Sequence, residues 1–467
     1  MSPTQPGILE LRARLRAGTL TSVALAKALA KRTHDQESLH GYAAFDEAAL
    51  LRQAAEADKR IAAGEDLPLL GVPIALKDNI DSVDYPSSAG TSSLMGLIPQ
   101  ADSEVTTRLR AAGALIAGKA NMHELAFGIT TDNPVTGQAR NPWNPERIPG
   151  GSSGGSGVVV AAGLVPASIG TDTGGSVRVP AALCGVVGLR PTTGRVSGRG
   201  IAPISLTRDT AGPIARSVAD CALLDSVLTG APEALPVAAL SGARLGIPEN
   251  HFWEDLDPGV RSVAEAAVER LRAAGAQVVS VALPGVSDLN AATGFPIALH
   301  EFVRDMRDYL VYARRGVTLE ALVAGIKSPD VKEVVTPLLG EGAVPESVYR
   351  EALASRTRLQ EMYTQAFATS GVQALIFPTT PLVAADTREK TDVVLNGKPQ
   401  PLFPTFIRNT DPGSNAGLPG LTLPVGLSDG LPVGLSLDGP AGSDRLLLAL
   451  GMEIETLFPT VSAPWMR

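Results

Sequence analysis

The 467-residue chain predicts an α/β protein wound around one extended sheet, and three observations carry that expectation. Helix-period segments alternate with short apolar, β-rich runs from one end to the other. Hydrophobic residues make up 44% and charged residues 19%, the balance of an ordered globular chain with a sizeable core. No repeat and no low-complexity linker interrupts the alternation.

In chain order, helices are expected over "ILELRARLRAG", "LTSVALAKALAKRT", "FDEAALLRQAAEADKRIAAG", "SEVTTRLRAAG", "GVRSVAEAAVERLRAAG", "SVYREALASRTRLQEMYTQAFATSG" and "SDRLLLALGMEIETL". Each repeats its apolar residues every three to four positions. Strands are expected over "LLGVPIAL", "GALIAG", "LVPASIGT", "ARLGIP", "AQVVSVAL", "ALIFPT", "LTLPVG" and "PVGLSL", all short and rich in β-formers. Gly230 to Ala243 and Val383 to Leu402, where Pro, Gly and charge gather, read as surface excursions. Neither marks a domain boundary.

Several function classes fall away on composition. The formal net charge is -8 and no run of Lys and Arg could neutralise a row of phosphates, so nucleic acid is not expected as a partner. The first twenty or so residues lack the apolar stretch of a secretory signal, and the apolar runs, broken by Gly or Pro, fall short of the roughly 20 residues a membrane span needs. A cytoplasmic protein without membrane contact is expected. Cys184 and Cys221 sit in apolar company, "AALCGVV" and "VADCALL", and read as core residues. "HELAF" starts at His123 like a zinc-binding helix, but Phe127 stands where the second histidine belongs, so no metal is expected.

The informative region is a pair of glycine-serine clusters, "GGSSGGS" at Gly150–Ser156 and "GTDTGGSVR" at Gly170–Arg178, around the apolar run "VVVAAGLVPASIG". Glycine and serine ordinarily build turns and linkers. Here the run between them must be buried, which holds both clusters at the edge of a core. The first cluster satisfies G-x-S-x-G, yet a nucleophile elbow needs a strand before it, and "NPWNPERIPG" has three prolines there. Phosphate-loop and dinucleotide fingerprints fail on spacing. The second cluster reads as a strand, a tight "DTGG" turn and the start of a helix, so Ser176 sits where a strand passes into a helix N-terminus. The amides of Thr173, Gly174, Gly175 and Ser176 can cradle an oxyanion there, which makes Ser176 a candidate nucleophile. With no suitable histidine, the candidate base is Lys77 at the end of "GVPIALKDNI", because burial lowers the pKa of an amine.

These stretches, with "GVPIALKDN" at Gly71–Asn79, resemble the amidase signature family, and most of the chain is similar to its indoleacetamide- and mandelamide-hydrolysing branch. The resemblance implies an α/β amidase signature fold with a large central twisted mixed sheet flanked by helices on both faces. It implies one domain over 1–467, with a helical segment over about 1–65, a signature core over about 66–230 and a remainder that completes sheet and pocket. It assigns Ser176 as nucleophile, Ser152 as a bridging serine after a cis peptide bond at Gly151–Ser152, and Lys77 as general base. Thr173, Gly174 and Gly175 match the oxyanion turn, and Ser153, Asp172 and Arg178 match supporting positions.

The implied substrate is a small amide or carbamate and no cofactor is needed, in a monomer or homodimer. Relatives of this kind also cleave anilides, aryl esters and carbamates, urethanes included. Pocket-wall candidates are Met122 with the following "HELAFGITTDNPVTGQ", the helical "PIALHEFVRDMRDYL", and the loop Thr405 to Asn415. Three other readings remain open: a glutamine-dependent amidotransferase subunit, a carbamate hydrolase, and an inactive binding scaffold, the last disfavoured by the intact Lys77, Ser152 and Ser176.

Overall fold

The computed structural model describes residues 6–231 and 234–459. Residues 1–5 of the N-terminal stretch and Pro232 and Glu233 of the first excursion lie outside the described residues. Thirteen strands are β1 Tyr42–Ala44, β2 Pro73–Lys77, β3 Leu115–Ala120, β4 Ala167–Asp172, β5 Val187–Arg190, β6 Thr210–Ala215, β7 Arg244–Pro248, β8 Gln277–Val281, β9 Ala374–Pro378, β10 Asp392–Leu395, β11 Lys398–Pro401, β12 Gly420–Ser428 and β13 Leu431–Asp438. Eleven of them form one mixed sheet in the order β1-β3-β2-β4-β6-β5-β12-β13-β9-β7-β8. Two runs within it are parallel, β3-β2-β4 and β9-β7-β8; the pairings between them and the edge strand β1 on β3 are antiparallel.

Helices cover both faces, and β2 shows why. Side chains alternate across a strand, so Ile74 and Leu76 join one core with Val105, Leu109, Val218 and Leu447. Ala75, between them, joins a second core with Ala26, Leu50 and Val158. Three of the expected helices start at the polar caps Thr21, Asp46 and Ser103, each accepting the backbone N–H of the third residue of its helix. All eight expected strands form, within a few residues of their anticipated ends.

The differences have local causes. The apolar run between the clusters is two elements, a helix Gly154–Ala161 and then β4, broken at Gly163 to Pro166. β6, "TAGPIA", lies in the middle of the sheet despite Pro213, which is tolerated because pairing with β5 ends one residue away at Ile214. The second excursion contains a hairpin, β10 and β11, turned by Asn396 and Gly397 at φ 52° and 76°. Asn-Gly is the strongest short hairpin signal and was present in the sequence. Thr405 to Asn415 is no loop but spans parts of two short helices, Leu402–Ile407 and Asp411–Ala416.

Candidate active site

The carboxyl ends of β3, β2 and β4 open on the same edge of the sheet because the three strands are parallel, the place where α/β sheets bind their ligands. β2 ends there in Lys77, and all five of its residues are buried. Lys77 Nζ lies 2.7 Å from Ser152 Oγ and 2.8 Å from Thr171 Oγ1, donating to both. Burial pulls its pKa from 10.5 down to about 7, against the opposing pull of Asp209 and Asp172. Lys119, equally buried on β3, differs in having the Asp78 carboxylate 3.6 Å away. Lys77 has no such partner among the described residues.

Ser152 follows a cis peptide bond from Gly151. Its carbonyl accepts from the His123 N–H at 3.1 Å, while the Thr131 hydroxyl donates to the Gly150 carbonyl at 2.8 Å. Ser153 joins the two clusters. Its hydroxyl donates to the Thr171 carbonyl at 3.1 Å and accepts the Thr171 N–H at 3.3 Å, and its own N–H reaches the Ser176 carbonyl at 3.3 Å.

Asp172 closes the turn that carries Ser176. Its carboxylate accepts the Val177 N–H at 3.2 Å, Arg178 Nε at 3.1 Å and Arg190 Nη1 at 3.0 Å. Burial would raise this carboxyl, but the two guanidiniums override it and hold it below the usual carboxylate range. Arg178 in turn donates to the Thr410 carbonyl at 3.0 Å and lies 3.8 Å from Asp438, whose carboxyl burial pushes up to about 7. Gly174 and Gly175 are required by space. A Cβ at Gly174 would lie 2.7 Å from Asp411 Oδ1, and one at Gly175 would lie 2.1 Å from Thr410 Oγ1 in a backbone at φ +143°. The amides of Thr173, Gly174 and Gly175, the expected turn, and that of Ser176 donate to no acceptor among the described residues.

Ser176 is half-buried and lines a cavity with Thr173 and Gly174. Ala126 and Phe127 form one wall, Phe295 and Ala298 a second, Phe403 and Ile407 a third, with Arg208 and Asp411 between them. Each expected wall segment thus contributes. Met122 lies one layer behind, fully buried against Ala126, Ile204 and Ala298. Lys77 and Ser152 are in direct contact, whereas the Ser176 hydroxyl is bonded to neither among the described residues. Thr171 escaped sequence reasoning although it stands inside the quoted "GTDTGGSVR"; Arg190, Arg208 and Asp209 were not singled out, and Asp411 only as part of the segment Thr405 to Asn415. Among the described residues no group of three or more His, Cys, Asp or Glu is placed to hold a metal.

The site thus brings together a buried amine in contact with one serine, and a second serine on a turn of open amides that lines the cavity. The model of the family described as Amidase matches residues 24–448. An indoleacetamide hydrolase of Rhizobium radiobacter is 43% identical over 433 residues, 92% of each chain. A mandelamide hydrolase of Pseudomonas putida is 42% identical over 472 aligned residues, 96% of this chain and 91% of that one. A crystal structure of an amidase superposes with a TM-score of 0.88 at 35% identity, covering 97% of this chain and all of the other. The chain belongs to the amidase family and is an enzyme that hydrolyses amide carbon–nitrogen bonds.

Proposed function

We propose that the chain hydrolyses small, aryl-bearing carboxamides through an acyl-enzyme on Ser176. The observation that carries the reading is the buried Lys77 amine, 2.7 Å from Ser152 Oγ and pulled down to about 7. Such an amine is about half uncharged at neutral pH, and the uncharged form can accept a proton. Substrate binding completes the contact between Ser152 and Ser176. Ser176 Oγ then attacks the carbonyl carbon while its proton passes to Ser152 and the Ser152 proton passes to Lys77. The amides of the turn Thr173, Gly174 and Gly175, with that of Ser176, hold the oxyanion. Collapse of the tetrahedral intermediate breaks the carbon–nitrogen bond, and the proton returns along the same path to the departing amine. Water, deprotonated by the same relay, then attacks the ester and frees Ser176 and the carboxylic acid.

The apolar walls around Phe127, Phe295 and Phe403 support an aryl substituent, as do the substrates in the names of the two relatives. The same attack applies to anilides, aryl esters and carbamates. The test is kcat/KM on indoleacetamide, mandelamide, glutamine, an anilide and an aryl carbamate, with mass spectrometry of the protein after a serine-directed sulfonyl fluoride. An adduct on Ser176, no turnover in Ser176→Ala, and preference for the aryl amides are expected. Preference for glutamine, or an adduct on another residue, overturns the proposal.

A further inference from the structure

Phe295 is 47% exposed, unusual for a large aromatic side chain. It sits within the helix Val286–Tyr312, between Gly294 and Pro296. Pro296 has no N–H for the carbonyl four residues before it, so the helix is weakened where Phe295 leaves it. The Gly294 carbonyl, two residues after the Ala292 carbonyl that Pro296 leaves without its helical donor, accepts from Arg208 Nη1 at 2.7 Å. The same guanidinium donates through Nη2 to Asp411 Oδ1 at 2.6 Å and to the Thr173 carbonyl at 3.4 Å. One buried side chain therefore fixes the backbone beside Phe295 relative to the turn of Ser176.

From the opposite wall, Phe403 on the helix Leu402–Ile407 meets Phe295 with ring centroids 6.0 Å apart and planes at 57°. Both rings line the Ser176 cavity and both keep contact with solvent, so they form its rim. Arg208 and Asp411 are paired with each other, which leaves no unpaired charge in the wall for an ionised substituent.

We infer that Phe295 and Phe403 are the specificity-determining residues, an aromatic rim that covers a planar aryl substituent and selects aryl amides over alkyl amides of similar size. This rests on the acyl-transfer reading of Ser176. Aryl rings meeting at a tilt gain more than the area they bury, and an alkyl chain in the same place does not.

The test compares phenylacetamide with hexanamide on the wild-type enzyme, Phe295→Leu and Phe403→Leu, with thermal melts to verify folding. The aryl-over-alkyl ratio of kcat/KM is expected to fall about tenfold in each leucine variant, through KM, and to recover in Phe295→Tyr and Phe403→Tyr. Equal proportional loss on both substrates, or a change confined to kcat, overturns the inference. A second arm measures calorimetric binding of the two amides to Ser176→Ala with and without the leucine substitutions. If neither amide is turned over yet phenylacetamide still binds tighter in a way that needs both rings, the acyl-transfer reading fails and the rim stands; equal affinities remove the rim.

Discussion

Lys77 owes its lowered pKa to burial, since the same amine at a solvated strand end would stay charged at neutral pH. Its pKa is 10.5 in the unfolded chain and about 7 in the fold. Activity is therefore expected to rise with pH through about 7 as the folded amine sheds its proton, and Lys77→Met is expected to lose several orders of magnitude in kcat/KM together with that limb. Stability follows the same group. Between about 7 and 10.5 the unfolded chain holds a proton that the native state has released, so this group's contribution to stability rises with pH across that window. Lys77→Met is accordingly expected to melt above wild type below pH 7, with the gap narrowing as the pH approaches 10.5. A pH-independent difference would contradict the assignment. Lys77, Ser152 and Ser176 were singled out in the sequence because each stands in a motif, and the structure puts Lys77 against Ser152 and Ser176 in the cavity wall; Thr171, which also binds the amine, was not singled out because no side-chain chemistry distinguishes it from the threonine two residues on.

Among the elements, the turn between β4 and the helix Arg178–Cys184 is the most constrained. Asp172 holds both of its ends, and Thr410 and Asp411 press on it from outside. Gly175→Ala places a methyl against Thr410 Oγ1 in a backbone that only glycine adopts easily, and roughly 1–3 kcal/mol of stability should go, measured by urea unfolding. The fall in kcat should exceed any rise in KM, because the amides would no longer aim at the oxyanion. Strands and helices with a clean period were legible. The hairpin of β10 and β11 was obscured by the proline and charge around it, and β6 by the rule against proline inside a sheet, which fails where pairing stops beside it.

Across the whole molecule, one sheet joins segments that the chain separates widely. Ile8 and Leu15, from the first helix, are fully buried in the same core as Val218, Cys221 and Phe458. Burial also pushes both cysteine thiols up, consistent with structural roles for Cys184 and Cys221. Among the described residues no helix is long and apolar enough to cross a membrane. The first helix belongs to the main core, and Ile8→Ala is expected to cost about 2–5 kcal/mol by urea unfolding, as for a central core position. A loss under about 1 kcal/mol would mean that this segment is only loosely docked.

By itself the sequence determined the α/β class and most of the elements and singled out Lys77, Ser152 and Ser176 as candidates, because these rest on local periodicity and on short motifs with a fixed spacing. Only the tertiary structure decided the depth at which Lys77 is buried, the grip of Arg208 on Gly294 and Asp411, and the meeting of Phe295 with Phe403. Those are contacts between residues far apart in the chain, and they form only when the sheet brings its crossovers together; no local pattern encodes them.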